Sequence, residues 1–501
     1  MRTSALQYLY LQKPISSVII ICAIALLPWL GNDFQTVAES YETSVATSII
    51  ESGNWILPKA YTDEAVYKPP MAYWLMAAVS LPQGQISGFT SRLPSAIAQI
   101  VLIGFVLAFF GKRIRFQEAF IATLLLLTCF GMHQAGTTAQ GDMLFATFIV
   151  LGLMQLYRWE NKLELKGLPV IIPLLLSCAI LTKGFAGIIL PLFIFCVYLL
   201  ILRKYSSLKI IKSLLYIGIS SMFIPLIWYI EAYKQGGADF LNAIFIENCR
   251  HLLHPGHGIG IFHNFISLLS GFIPWTLLFV FSLFGAKWCM PRKSFKQILK
   301  DAWNWFLSIE KMKRFSIVAA LCIILFYAIP AYPFISILLA QYFIYITENR
   351  SKVTRIFAHI LTAIVSIIFI AGILIMTQVI DLNAIAAGYT TKESTLHIIE
   401  NIAGILVSGS ITNWIIMSML LISIVTVIYQ TTKRINIKIL YATILMTFCL
   451  NLFIDGIVMK GIKEPPSCPV ADHSLSNLNS KLPKPLADAS NIISPACSSF
   501  V

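Results

Sequence analysis

The feature that most limits what this chain can fold into is a succession of apolar runs separated by short polar turns. They fall near 15–30, 92–111, 118–135, 141–157, 168–182, 185–202, 213–231, 263–283, 315–329, 331–347, 356–377, 408–429 and 438–455. A helix needs about 20 mostly apolar residues to cross about 30 Å of hydrocarbon. The runs therefore predict an all-α polytopic membrane protein with about 13 transmembrane helices. Several runs are short, above all the pairs that meet at Lys183 and at Pro330. With 57% hydrophobic and 12% charged residues, the chain has too few charges to solvate a globular surface of 501 residues.

The net charge of +14 does not mark a nucleic-acid partner, because the basic residues sit in short groups between apolar runs and do not cluster with exposed aromatics. They report topology instead. With the N-terminus cytoplasmic, 26 of the 37 basic residues fall on the inside, and reversing the orientation reverses the bias. Residues 31–91, 232–262 and 378–407 are then long outer segments. Residues 1–455 read as one membrane domain and 456–501 as a short, irregular periplasmic tail rich in Pro, Ser, Ala and Asn. The first apolar run has no small-residue cleavage site after it and is read as a retained helix. Six cysteines (Cys22, Cys129, Cys178, Cys196, Cys322 and Cys449) lie in apolar runs and are read as packing residues. Cys468 and Cys497, in the tail, can pair if that tail is extracytoplasmic.

Between the first two runs stands a polar stretch carrying Glu39, Glu42, Glu51, Asp63, Glu64, Lys68 and Pro69-Pro70. Residues 38–52 and 71–81 within it have the spacing of helices that lie in the interface. Glu39 and Glu42 are one turn apart and share a helix face; they are either a carboxylate base at the membrane surface or a solvated polar face. Lys68 is presented from a stiff Pro-Pro corner and suits a phosphate, or it snorkels. Asp142 opens an apolar helix, as a functional acid or as a cap. Lys183 stands at the turn of a hairpin, where it can pair with an anionic headgroup or with Asp142. His251, His254 and His257 are three apart, with Glu247 and Arg250 before them. A metal face is one reading and an anion-contacting loop the other, although Pro255-Gly256 breaks the spacing. No Walker loop, dinucleotide fingerprint or GxSxG elbow occurs.

The segments ESGNWILP, VYKPPMAYWL and SRLPSAIA, followed in order by GDMLFATF, LTKGFAGIILPL, FIENCRHLL, GFIPWTLLF and AYPFISILLA, carry a resemblance over roughly residues 10–350. Together they resemble the lipid-phosphosugar-dependent glycosyltransferases, the family that includes the aminoarabinose transferase of lipid A modification and the protein O-mannosyltransferases. The resemblance implies a GT-C fold in the inner membrane and transfer of a sugar from a polyprenyl-phosphate carrier on the periplasmic face. The acceptor it implies is a lipid A-like glycolipid, a polysaccharide or a protein. Carried over by motif, Lys68 contacts the donor phosphate with Arg250, Lys183 and Tyr332 as helpers, and Glu39 and Asp142 are the catalytic acids. A divalent metal is left open. The chain departs from the pattern in three places: Ala38-Glu39 stands where an Asp-Glu pair is usual, with Asp33 the nearest substitute; Tyr67 replaces the acid before the KPP lysine, with Glu64 one turn earlier; and no basic loop separates Pro330 from Ala331.

Two rival readings follow from the same residues. A transporter or flippase of a lipid-linked sugar would bind the same phosphate without a base, and it predicts paired broken helices near the midplane. A weakened relative would keep lipid binding alone.

Overall fold

The computed structural model describes residues 2–462 apart from 33–35, 61–65, 67, 162, 164–166, 254–259, 285–293, 383 and 386–392. The described residues are helical, with no β-strand among them. The first half runs α1 (Arg2–Leu26), α2 (Val37–Ser52), α3 (Met71–Ser80), α4 (Gly88–Phe110), α5 (Phe116–Thr128), α6 (Phe130–Thr137), α7 (Asp142–Trp159), α8 (Ile171–Lys183), α9 (Ala186–Leu202) and α10 (Ser207–Leu253). The second runs α11 (Gly260–Gly271), α12 (Trp275–Phe284), α13 (Phe295–Ser308), α14 (Lys311–Ile324), α15 (Tyr332–Asn349) and α16 (Ser351–Met376), then α17 (Glu393–Val407), α18 (Ile411–Lys433) and α19 (Asn436–Phe453), which ends in a π-helical turn, Ile454–Met459.

Helix α4 is the central post. It packs on α1, α3, α5, α6 and α7; α7 leans on α8, which backs onto α9 and α10; and α5 meets α15 and α19 on the other side. Buried aromatics such as Phe110, Phe145, Phe195, Phe315 and Phe334 fill the joints. The N-terminus of α4 is set by a capping box, in which Ser87 and Thr90 each bond the other's backbone amide. Helix α8 ends at Gly184 (φ +62, ψ −143), a conformation open essentially to glycine alone. In α9, a Cβ on Gly187 would stand 2.3 Å from the backbone of Ala179, so the two helices touch backbone to backbone.

Each apolar run of the sequence overlaps a helix or a bent pair of helices. Among the described residues, however, six helices are long and apolar enough to cross a membrane, or eight if each bent pair is one span. The expectation of about 13 spans is not reached by that measure. Helices α8 and α9 have 13 and 17 residues. At 1.5 Å per residue they extend roughly 20 and 26 Å, short of a full crossing. Helix α7 begins and ends on charge, with Asp142 in its first turn and Arg158 in its last.

Two further differences concern connections. The segment 232–262, expected as a loop, is helical through Leu253, because α10 continues past a kink at Gly237 (φ +61). Two pairs are broken: α5–α6 by 61° and α11–α12 by 99°. Backbone groups near the breaks find protein partners, as they must in lipid. The amide of Phe130 donates to the carbonyl of Ile273 at 3.2 Å, and Asn451 Nδ2 donates to the carbonyl of Thr128 at 3.2 Å. The tail beyond 462, with Cys468 and Cys497, lies outside the described residues, whereas position 456, read as the start of the tail, falls inside the π-helical turn.

Candidate active site

The polar stretch after α1 folds as α2 and α3, and its acids divide into two sets. Thr36 caps α2 by accepting from the amide of Glu39 at 3.2 Å, which places Glu39 in the first turn, where the helix dipole favours an acid. The carboxylate points inward and is fully buried. Arg92, one turn into α4, meets it with both edges of the guanidinium: Nε donates to Oε1 at 2.9 Å and Nη2 to Oε2 at 3.0 Å. The amide of Ala139 donates to Oε1 at 2.7 Å. Arg92 Nη1 then donates to the carbonyls of Leu30, at 3.0 Å, and Asn32, at 2.6 Å. One buried pair thus ties together the end of the first helical segment, α2, α4 and the turn between α6 and α7.

The second set is open. One turn beyond Glu39, the Glu42 carboxylate faces Lys68 Nζ at 3.4 Å, and the Lys68 ammonium also lies 5.1 Å from the centre of the Tyr41 ring. Asp142 Oδ1 meets Lys183 Nζ at 2.7 Å, the pairing that the sequence raised as one option. Gly141, just before Asp142, lies against Ala72 of α3 and Thr182 of α8. The Lys183 ammonium lies in the field of Asp142 first, then of the Tyr327 phenol, and farther out of Glu42. Side-chain exposure separates the sets: 31% and 18% for Lys68 and Glu42, 26% and 37% for Lys183 and Asp142, against 2% and 0% for Arg92 and Glu39. Leu57, Leu181, Trp228 and Phe240 pack together, with Trp228 Nε1 donating to the carbonyl of Ile56 at 3.1 Å to fix the loop after α2.

Of the site residues predicted from sequence, Lys68, Asp142 and Lys183 come together and Glu42 joins them. Glu39 stands behind, its oxygens already holding three N–H groups. Tyr332 is buried elsewhere, with its ring 4.6 Å from that of Phe272 and its hydroxyl donating to the carbonyl of Ser267 at 3.4 Å. The tyrosine beside Lys183 is Tyr327, which packs on Phe145 of α7. Arg250 lies on the last turns of α10, among residues whose side chains fall outside the description. So do Glu247 and His251, while Asp33, Glu64, Tyr67, His254 and His257 lie outside the described residues altogether. Among the described residues, no three His, Cys, Asp or Glu side chains converge as metal ligands.

A third feature had no sequence signal. His133 of α6 and Asp455 of the π-helical turn pair through Nε2 and Oδ2, both buried, beside a cavity of ≈ 30 Å³ also lined by Asn32, Arg92, Gln134 and Asn451. That is room for a water or two.

Fold and site together describe a polytopic helical membrane protein with paired lysines and carboxylates at one end of the bundle. Residues 67–229 match the dolichyl-phosphate-mannose-protein mannosyltransferase family, a stretch that opens just before Lys68 and contains Asp142 and Lys183. The chain is 23% identical over 367 residues to the undecaprenyl phosphate-alpha-4-amino-4-deoxy-L-arabinose arabinosyl transferase of Shewanella sediminis, covering 70% of this chain and 63% of that one. An uncharacterised protein of Aquifex aeolicus is 27% identical over 323 residues, or 63% and 59% of the two chains. The match thus spans somewhat under two thirds of each of these relatives. The crystal structure of ArnT from Cupriavidus metallidurans bound to undecaprenyl phosphate superposes with a TM-score of 0.62 at 15% identity, over 90% of this chain and 77% of that one. The chain has the GT-C fold of that structure.

Proposed function

We propose that the protein transfers a sugar from a polyprenyl-phosphate carrier to an acceptor hydroxyl at the periplasmic face of the inner membrane. The observation that carries this is the open set itself: two lysines and two carboxylates, held by four different elements, at one end of a bundle of apolar helices. In the resting state each lysine is occupied by an acid. A donor phosphate competes for Lys183 and Lys68, with Arg250 the further cation that the motif resemblance supplies, and draws the ammoniums away from their carboxylates. Asp142, released from Lys183, accepts the proton of the acceptor hydroxyl as its oxygen bonds the anomeric carbon. The bond from that carbon to the phosphate breaks, and polyprenyl phosphate leaves with its charge met by the lysines. Glu42 orients Lys68. Glu39 acts from behind, because the Ala139 amide it holds belongs to the turn that presents Asp142.

Support comes from the name of the Shewanella sediminis relative, which joins undecaprenyl phosphate to arabinosyl transfer. The acceptor is a lipid A-like glycolipid, a surface polysaccharide or a protein. The bent pairs α5–α6 and α11–α12 are the feature a flippase would share. Their freed backbone groups are closed by Asn451 and by each other, which favours a fixed scaffold.

The test is transfer of labelled sugar from undecaprenyl phosphate in proteoliposomes. Asp142→Asn and Lys183→Met are expected to lose about 10²–10³-fold in rate while the proteins stay folded, the range typical for removing one electrostatic or acid–base group. Unchanged transfer in both variants, or carrier movement across the bilayer without transfer, overturns the reading.

A further inference from the structure

At the end of the bundle opposite Asp142, about 26 Å away along α7, a second polar cleft of ≈ 460 Å³ opens. Its walls are Arg113 of the turn between α4 and α5, Tyr157, Arg158 and Asn161 at the end of α7, and Glu310, Lys311 and Met312 at the start of α14. Its charges are unevenly matched. Lys311 is held by the fully buried carboxylate of Glu160 and by Asn161 Oδ1 at 2.8 Å. Glu310 is drawn aside by Lys313 at 3.7 Å. The two guanidiniums have no carboxylate partner among the described residues. Arg113 lies over the Phe109 ring, 3.9 Å from its centre, and donates to the Phe109 carbonyl at 2.7 Å; Arg158 donates to Gln155 Oε1 at 3.3 Å.

Two cations fixed in one cleft repel each other. Burial first, and the neighbouring Arg158 second, pull the Arg113 guanidinium below its ordinary range, with Tyr157 offsetting part of the effect. An anion placed between them would remove that repulsion, and the planar forks of two arginines match the oxygens of a phosphate.

The surroundings indicate where the phosphate comes from. Helix α13, which leads directly into Glu310 and Lys311, is amphipathic: Phe295, Ile298, Leu299, Ala302, Trp303 and Phe306 recur at helical spacing, with Lys296, Lys300 and Asn304 between them. Ile298, Leu299, Trp303 and Trp305 are exposed. Arg314 donates to the carbonyls of Leu307 and Ile309 and so locks the turn from α13 into α14. An exposed amphipathic helix with tryptophans and lysines belongs in the headgroup region of a bilayer, and its C-terminal end opens onto the cleft.

We propose that this cleft binds the phosphodiester of an anionic phospholipid, gripped by Arg113 and Arg158, with α13 lying in the same leaflet. The site is separate from the proposed transferase centre and stands without it. A phosphatidylglycerol headgroup supplies the charge, and a zwitterionic phosphatidylcholine brings its own cation and competes poorly.

The test is lipid retention by the full-length protein in detergent micelles, measured by native mass spectrometry on titration with phosphatidylglycerol, phosphatidylcholine or inorganic phosphate. Wild type should hold phosphatidylglycerol in preference to phosphatidylcholine. The double variant Arg113→Gln/Arg158→Gln should hold it at least about tenfold more weakly, given what each basic residue near an anionic surface contributes. Arg158→Lys should lose less, and Lys209→Gln, an exposed basic residue at the same end, should lose nothing. Equal retention by the double variant overturns the proposal. So does an equal loss in Lys209→Gln, which would mean diffuse surface charge, or tighter binding of inorganic phosphate than of the lipid, which would mean a soluble anion site. If the double variant fails to fold, the comparison of Arg158→Lys with Lys209→Gln decides.

Discussion

Two acid–base pairings stand a turn apart on the same helix and differ in almost everything but residue type. Glu39 is buried, bidentate with Arg92 and capped by a third donor. Glu42 faces a single lysine at 3.4 Å and is reachable from solvent. The same contrast separates the Arg92 pair from Asp142 and Lys183. A carboxylate whose oxygens are all engaged by fixed donors is a fastener, whereas one that shares a mobile lysine can change partners when an anion arrives.

The strongest way to break this comparison is to remove the fastener. Arg92→Ala leaves a buried carboxylate uncompensated and is expected to cost about 3–5 kcal/mol of stability, read as a lowered denaturation midpoint in detergent. The double variant Arg92→Met/Glu39→Met should recover most of the loss. A midpoint unchanged in Arg92→Ala would show that the pair fastens nothing. Next in size, Gly187→Ala forces a Cβ into the backbone of Ala179 and should cost about 1–3 kcal/mol. It should also lower transfer, because the hairpin that seats Lys183 must open. Smallest on the same scale, Asp142→Ala should change the midpoint by less than about 1 kcal/mol, as a part-exposed ion pair does, although its transfer collapses. A large loss of stability there would move Asp142 into the class of Glu39.

Much of this architecture was legible in the chain. Hydropathy located the helices, because apolar length is a constraint that acts residue by residue along the sequence. The interfacial spacing of 38–52 and 71–81 likewise reappears as α2 and α3. Apart from Asp142 and Lys183, what sequence could not supply was partnership. Arg92 sits 53 positions from Glu39, inside SRLPSAIA, where it reads as one more outer charge. His133 and Asp455 are 322 apart. Motif resemblance pointed to Tyr332, while the turn at Pro330 brings Tyr327 to Lys183, because the chain bends between α14 and α15 and directs the two tyrosines into different joints. The stretch 232–262, read from the span layout as an outer segment, holds a helix that follows its predecessor across a kink at Gly237.

The fastener also has a consequence for biogenesis. Its donors and acceptors are spread over residues 30, 32, 39, 92 and 139, so a nascent chain carries Arg92 and Glu39 into the bilayer long before the last contact exists. Arg92 finds Glu39, Leu30 and Asn32 already made when it enters, so only the third donor to Glu39, the Ala139 amide, waits for α6 to turn back. The first four helices can therefore be fastened to one another before the proposed active-site turn exists. The Ala139 contact then ties that turn onto helices already joined.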